Sequence, residues 1–271
     1  MKSFKQHIFE KLKVSSNNGY IKHTLFPETK IELKQMVKDE ISKNGNECSL
    51  NHIDVSRITD ISQLFYYSKF NGDISNWDVS NVTNMSYVFS NSKFNGDISE
   101  WDVSNVKYMG GIFEKSIFTG DISEWDVSNV KDMSYMFFDS NFNGDISGWD
   151  VSNVEIMKGI FNGSDFMEDI SDWDVSNVKD MSYMFGGSRF KGDISNWNVS
   201  KVASMYYMFY NSNFNGDISN WNVSNVTDIR WMFAYSKFNG DISNWNISAV
   251  TKMNDAFRYS PLEKNPPKWY K

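Results

Sequence analysis

The sequence predicts an α/β fold, a solenoid of 24-residue strand-plus-helix repeats behind an N-terminal helical cap. Three observations carry that prediction. Phe recurs at 70, 94, 118, 142, 166, 190, 214 and 238, and Trp at 77, 101, 125, 149, 173, 197, 221 and 245, always 24 residues apart with no insertion. Within each copy Gly72, Asp73, Ile74 and Ser75 alternate in polarity, which suits a short strand with Ile74 inward. Val82, Met85, Val88 and Phe89 then stand at i, i+3, i+6 and i+7, the spacing of one helical face, with Ser80 or Asn81 as the N-cap oxygen.

A unit this small cannot bury its own apolar face, so the copies must stack, with Phe, Ile, Trp, Val and Met forming ladders through a shared core. Eight full repeats follow a degenerate one at 50–68, in which Ile53 takes the Trp place. Nine units at about 4.8 Å each give a sheet roughly 40 Å across. An all-strand β-helix would leave the helical spacing of Val82 to Phe89 unexplained. Residues 28–44 read as an amphipathic helix: Leu33, Met36, Val37 and Ile41 share a face, Thr29 and Glu32 fit a capping box, and Gly45 is the stop. Upstream, Phe4, Ile8, Phe9 and Leu12 stripe a second short helix that reads as a docking peptide. The expected division is a helical segment and cap at 1–45, nine repeats at 46–261, and a tail or cap at 262–271 in which Trp269 and Tyr270 either cover the last repeat or fray.

Composition excludes several functions. The 271 residues carry a net charge of −7, and residues 45–261 alone carry −13, so the body repels nucleic acid phosphates. No run of 18 apolar residues offers a membrane span, and the first 14 residues lack the pattern of an export signal. Cys48 has no second cysteine to pair with, and all three histidines lie in the first fifth of the chain, so the repeats hold no histidine-based metal site or triad.

The string FNGDISNWDVSNVTNMSYVF at 70–89, with its variants through residue 257, resembles the BspA-like leucine-rich-repeat surface proteins, and in particular the repeat of mycoplasmal surface lipoproteins. That resemblance implies a leucine-rich-repeat-like solenoid, display at a cell surface, and adhesion or binding of host protein.

Two groups of residues are candidates for a site. The unbroken column Asp73, Asp97, Asp121, Asp145, Asp169, Asp193, Asp217 and Asp241 reads either as a row of Ca²⁺ sites or, the preferred reading, as a structural ladder of carboxylates accepting local hydrogen bonds. Asp78 becomes Asn at 198, 222 and 246, so that neighbouring column needs an acceptor and no charge. The Trp column reads as core and not as a platform for sugars. The second group is Tyr206, Tyr207, Tyr210, Arg230, Trp231, Tyr235, Arg258 and Tyr259, placed by the pattern on the outer helical surface. Aromatic residues and Arg are enriched at interfaces, although Tyr87, Tyr135, Tyr183, Tyr207 and Trp231 share one repeat position and equally fit a covering over neighbouring helices.

Carboxylate pairs such as Asp73 and Asp78 recur in repeat after repeat, whereas catalysis needs one distinctive constellation. The expectation is therefore no enzyme, no cofactor and no metal. The sequence reads as a monomeric repeat scaffold binding a protein or glycan, through a concave strand face or the aromatic surface. The alternatives are a component of a larger particle docked through the first helix and, less favoured, a glycan-active enzyme.

Overall fold

A computed structural model describes residues 22–270. The Phe4, Ile8, Phe9 and Leu12 stripe lies outside the described residues. The 24-residue register is kept throughout, as parallel one-residue bridges link Asp60 to Asn84, Asn84 to Tyr108, and so on to Asp228 and Lys252. The chain is thus a stack of similar rungs.

The rungs correct the expected fold class. Among the described residues there is no strand-plus-helix α/β solenoid: the repeats contain neither a helix nor a sheet strand. The backbone of 85–92 shows why. The N–H groups of Met85, Tyr87, Phe89 and Asn91 donate to the carbonyls of Tyr108, Gly110, Ile112 and Glu114 in the next rung, at 2.7–2.9 Å. Those of Val88, Ser90 and Ser92 turn back to Met85, Tyr87 and Phe89, at 3.2–3.3 Å. Alternate amides therefore bond between rungs and close tight turns, and none of these reaches four residues back as a helix requires. Tyr87 (φ 60) and Asn91 (φ 55) are left-handed, as the third residue of a type II turn must be. Apolar residues three and four apart thus point inward because successive turns, not helical turns, bring them round.

The expected strand fares similarly. Ile74 is buried and Asp73 exposed, so the alternation of facing is real. However, the Asp73 carboxylate accepts from the N–H of Ser75, bending the chain where a strand would run straight, and the same bond recurs through Asp241 at 2.9–3.0 Å. A second corner follows, where Asp78 or its Asn counterparts accept from the Ser two residues on, at 3.0–3.2 Å.

The core is a set of ladders. Each Trp is only 3–5% exposed from Trp77 to Trp245, and each indole Nε1–H donates to an Ile or Leu carbonyl one rung back, at 3.0–3.2 Å. Phe rings stack beside them, with centroids 4.3 Å apart for Phe89 and Phe94 and 5.8 Å for Phe89 and Phe113.

The helix α1, Lys30–Asn44, begins with the Thr29 and Glu32 capping box and ends at Gly45. Its Leu33 and Val37 join the core, Lys30 bonds Asp60 at 3.0 Å and also Ser62, and Glu40 meets His52 at 3.4 Å. At the other end the register continues past 261. A short 3₁₀ turn, Pro261–Glu263, buries Leu262, which stands 24 residues after Phe238. Trp269 stands 24 after Trp245, stacks on it at 6.5 Å, and donates to the Ile242 carbonyl at 2.9 Å.

Candidate functional site: an aromatic and arginine face

The turns at 85–92 and their counterparts build one long face. Each left-handed residue projects outward, and at the repeat position of Tyr87 the chain carries Gln63, Tyr87, Gly111, Tyr135, Gly159, Tyr183, Tyr207, Trp231 and Asp255, all at φ 57–62. Left-handed aromatic residues are uncommon and cost of order 1–2 kcal/mol each. Their rings are supported by the adjoining rungs. Tyr87 lies over Gly111 and Tyr135 over Gly159, so closely that a Cβ on either glycine would come within 2.3 or 2.5 Å of the ring. Further along, Tyr183, Tyr207 and Trp231 stack on one another, with centroids 5.1 and 5.7 Å apart.

The structure brings the sequence-predicted residues together on this face, although on turns and not on helices. Tyr206 meets Tyr207 edge-on at 4.4 Å, Tyr207 meets Tyr210 at 4.8 Å, Tyr210 meets Tyr235 at 5.5 Å, and Tyr235 meets Tyr259 at 4.7 Å. Tyr235 is 44% exposed and Tyr259 56%, which is unusual for rings in an unbroken patch. Arg230 lies over the Tyr206 ring at 4.8 Å, and Arg258 over Trp231 at 5.6 Å and Tyr259 at 5.0 Å.

Arg230 is fixed from behind. Its Nε and Nη2 donate to Asp228 at 3.0 and 2.7 Å. Burial alone would raise the Asp228 carboxyl, but the bonds from Arg230 outweigh it and hold it below the usual range. Burial also pushes the hydroxyls of Tyr183 and Tyr207 up, and the neighbouring Tyr206 hydroxyl adds to both shifts. These phenols therefore stay protonated and uncharged near neutral pH.

Sequence reasoning missed a recess in the same face. A cleft of about 450 Å³ opens beside Tyr183, with Tyr135 and Phe138 toward one end and Tyr207 and Tyr210 toward the other. Gly186 and Gly187 lie between them. The signal was available in the columns: at the two repeat positions that carry Tyr66 and Tyr67, Phe138, Tyr210, Tyr235 and Tyr259 in some rungs, two consecutive rungs carry Asn162 and Gly163, then Gly186 and Gly187.

The Asp73 column lies apart from these aromatic residues, and each of its carboxylates is engaged by the following Ser. Among the described residues, no three His, Cys, Asp or Glu side chains gather as they would around a metal ion. The concave strand face considered from sequence does not exist, because the repeats form no sheet strand.

A family model described as "Mycoplasma protein of unknown function, DUF285" matches residues 31–141, 112–189 and 164–269. No curated protein and no solved structure matches the chain.

Proposed function

The chain belongs to this Mycoplasma family of repeat proteins, and on that premise we propose that it is a non-catalytic scaffold that recognises a protein or glycan through its aromatic and arginine face. The observation that carries the proposal is the unbroken contact of Tyr206, Tyr207, Tyr210, Trp231, Tyr235 and Tyr259, with two arginines laid over their rings. Rigid aromatic surface carrying guanidinium groups is what binding hot spots are made of. The resemblance of the repeats to BspA-like surface proteins supports adhesion at a cell surface as the setting. The Asp, Ser and Trp columns repeat in all eight full repeats and supply no distinctive constellation for catalysis.

Replacing Tyr207, Tyr210, Trp231 and Tyr235 together by Ser tests the proposal. A partner retained by the wild type from its native source should be lost, while the melting temperature stays within a few degrees. Undiminished retention by a folded variant would refute the assignment to this face. Deleting residues 1–14 should leave retention intact. Loss on that deletion would favour a docking role for the segment.

A further inference from the structure

We infer that the cleft between the Tyr135 and Phe138 wall and the Tyr207 and Tyr210 wall is a subsite for a neutral saccharide ring. This inference rests on the binding reading above and gives it a ligand class.

The recess is not a requirement of the backbone. Gly187 has φ +65, but Tyr235 and Tyr259 occupy the same repeat position at φ 59 and 56. A Cβ added at Gly187 would meet only Gly163, no closer than 3.7 Å. The rungs that hold Gly163 and Gly187 have therefore left open a space that the same backbone fills elsewhere with a tyrosine. Its volume, about 450 Å³, lies within the range of small-ligand sites.

The lining selects by charge. Five aromatic rings, two glycines and two asparagines form it, with no charged side chain. Ring faces carry negative potential and disfavour an anion. A cation would meet like charge, because Lys115 already lies over the Phe138 ring at 5.3 Å and Lys158 over the Tyr135 ring at 5.7 Å. A neutral ligand with weakly positive C–H bonds on its face and hydroxyls at its rim matches what remains, and a pyranose is such a ligand.

The two amides are placed for those hydroxyls. The Asn162 Nδ2 donates to the Tyr183 carbonyl at 3.2 Å, which fixes the amide and leaves its Oδ1 without a partner among the described residues. The Asn211 side-chain amide makes no hydrogen bond among them either, so it offers both a donor and an acceptor.

The test uses the full chain against an immobilised panel of uncharged oligosaccharides built from hexoses and N-acetylhexosamines, followed by calorimetry with whichever is retained. Wild type should retain at least one, and Gly187→Tyr, which fills the recess with a side chain its backbone accepts at 235, should weaken that binding at least tenfold. Asn162→Ala, which fills nothing, should weaken it about fivefold, and the remote Glu100→Gln should leave it unchanged. Retention of none, or equal affinity in Gly187→Tyr and wild type, would overturn the subsite. So would competition by a proline-rich or cationic peptide and not by free sugar. An empty panel combined with loss of the native partner in the four-residue Ser variant would overturn the subsite and leave the binding face standing. Retention of that partner by the Ser variant would remove the face itself.

Discussion

Trp149→Ala tests how the rungs hold together. The Trp149 side chain is 4% exposed, stacks against Phe137 at 6.3 Å and donates its Nε1–H to the Ile122 carbonyl at 3.1 Å. Removing a buried indole costs about 3–5 kcal/mol in transfer and cavity terms. The lost hydrogen bond adds about 1 kcal/mol and no more, because the Ile122 carbonyl keeps its second donor, the Trp125 N–H at 3.2 Å. The expected loss of about 4–6 kcal/mol is a large part of the ~5–15 kcal/mol that stabilises a typical domain. Since each rung contacts chiefly its neighbours, urea unfolding should also lose cooperativity, with the 125–173 region opening first in hydrogen exchange. Trp149→Phe keeps most of the ring and loses the N–H, so it should cost clearly less, about 1–2 kcal/mol. A loss below about 1 kcal/mol for Trp149→Ala would refute the interior placement of the Trp column. Equal losses for the two variants would refute the division between packing and hydrogen bonding.

Three further outcomes are expected. Trp269→Ala should cost about 2 kcal/mol, less than the central substitution because Trp269 is only half-buried and, among the described residues, has a Trp neighbour on one side; urea unfolding checks this, and no loss would detach the 262–270 segment from the stack. Backbone and side-chain hydrogen bonds from Ser hold the carboxyls of Asp121, Asp145, Asp169, Asp193, Asp217 and Asp241 below the usual range. Their folded pKa values thus lie below the unfolded value of about 3.9, so their contribution to stability is complete above that value and is lost as pH falls through the folded values. The melting temperature should fall below about pH 4, and a flat profile there would contradict the corner bonds. Melting temperatures should agree in chelator and in about 1 mM Ca²⁺, whereas a large rise with Ca²⁺ would mean that the folded Asp column binds it.

The parts of the fold legible in the sequence are those fixed by side-chain identity at a constant interval. The 24-residue register gave the stack and its core ladders, and Thr29, Glu32 and Gly45 gave the ends of α1. The error lay in reading Val82, Met85, Val88 and Phe89 as a helix. A string of type II turns also brings residues three and four apart to one side, so spacing alone does not separate the two. The discriminating sign was Asn91, Gly111, Gly159, Gly163 and Gly187 recurring at two fixed positions, residue types that accept positive φ. Tyr87, Tyr135 and Trp231 at one of those positions hid the sign, since left-handed aromatic residues are rare. The aromatic face was legible as a composition of variable positions. The cleft was legible only in what two rungs omit, at Gly163, Gly186 and Gly187.

Recognition by the face that Tyr207 and Trp231 occupy predicts which side chains a bound ligand covers. Oxidative footprinting of side chains, read by mass spectrometry with and without a ligand retained by the full chain, measures this directly. Tyr207, Tyr210, Trp231, Tyr235 and Tyr259 should be protected on binding, while Tyr66 and Tyr67, exposed in the first rung, should react at unchanged rates. Protection confined to Tyr66 and Tyr67, with the Tyr207 to Tyr259 group unaffected, would contradict it.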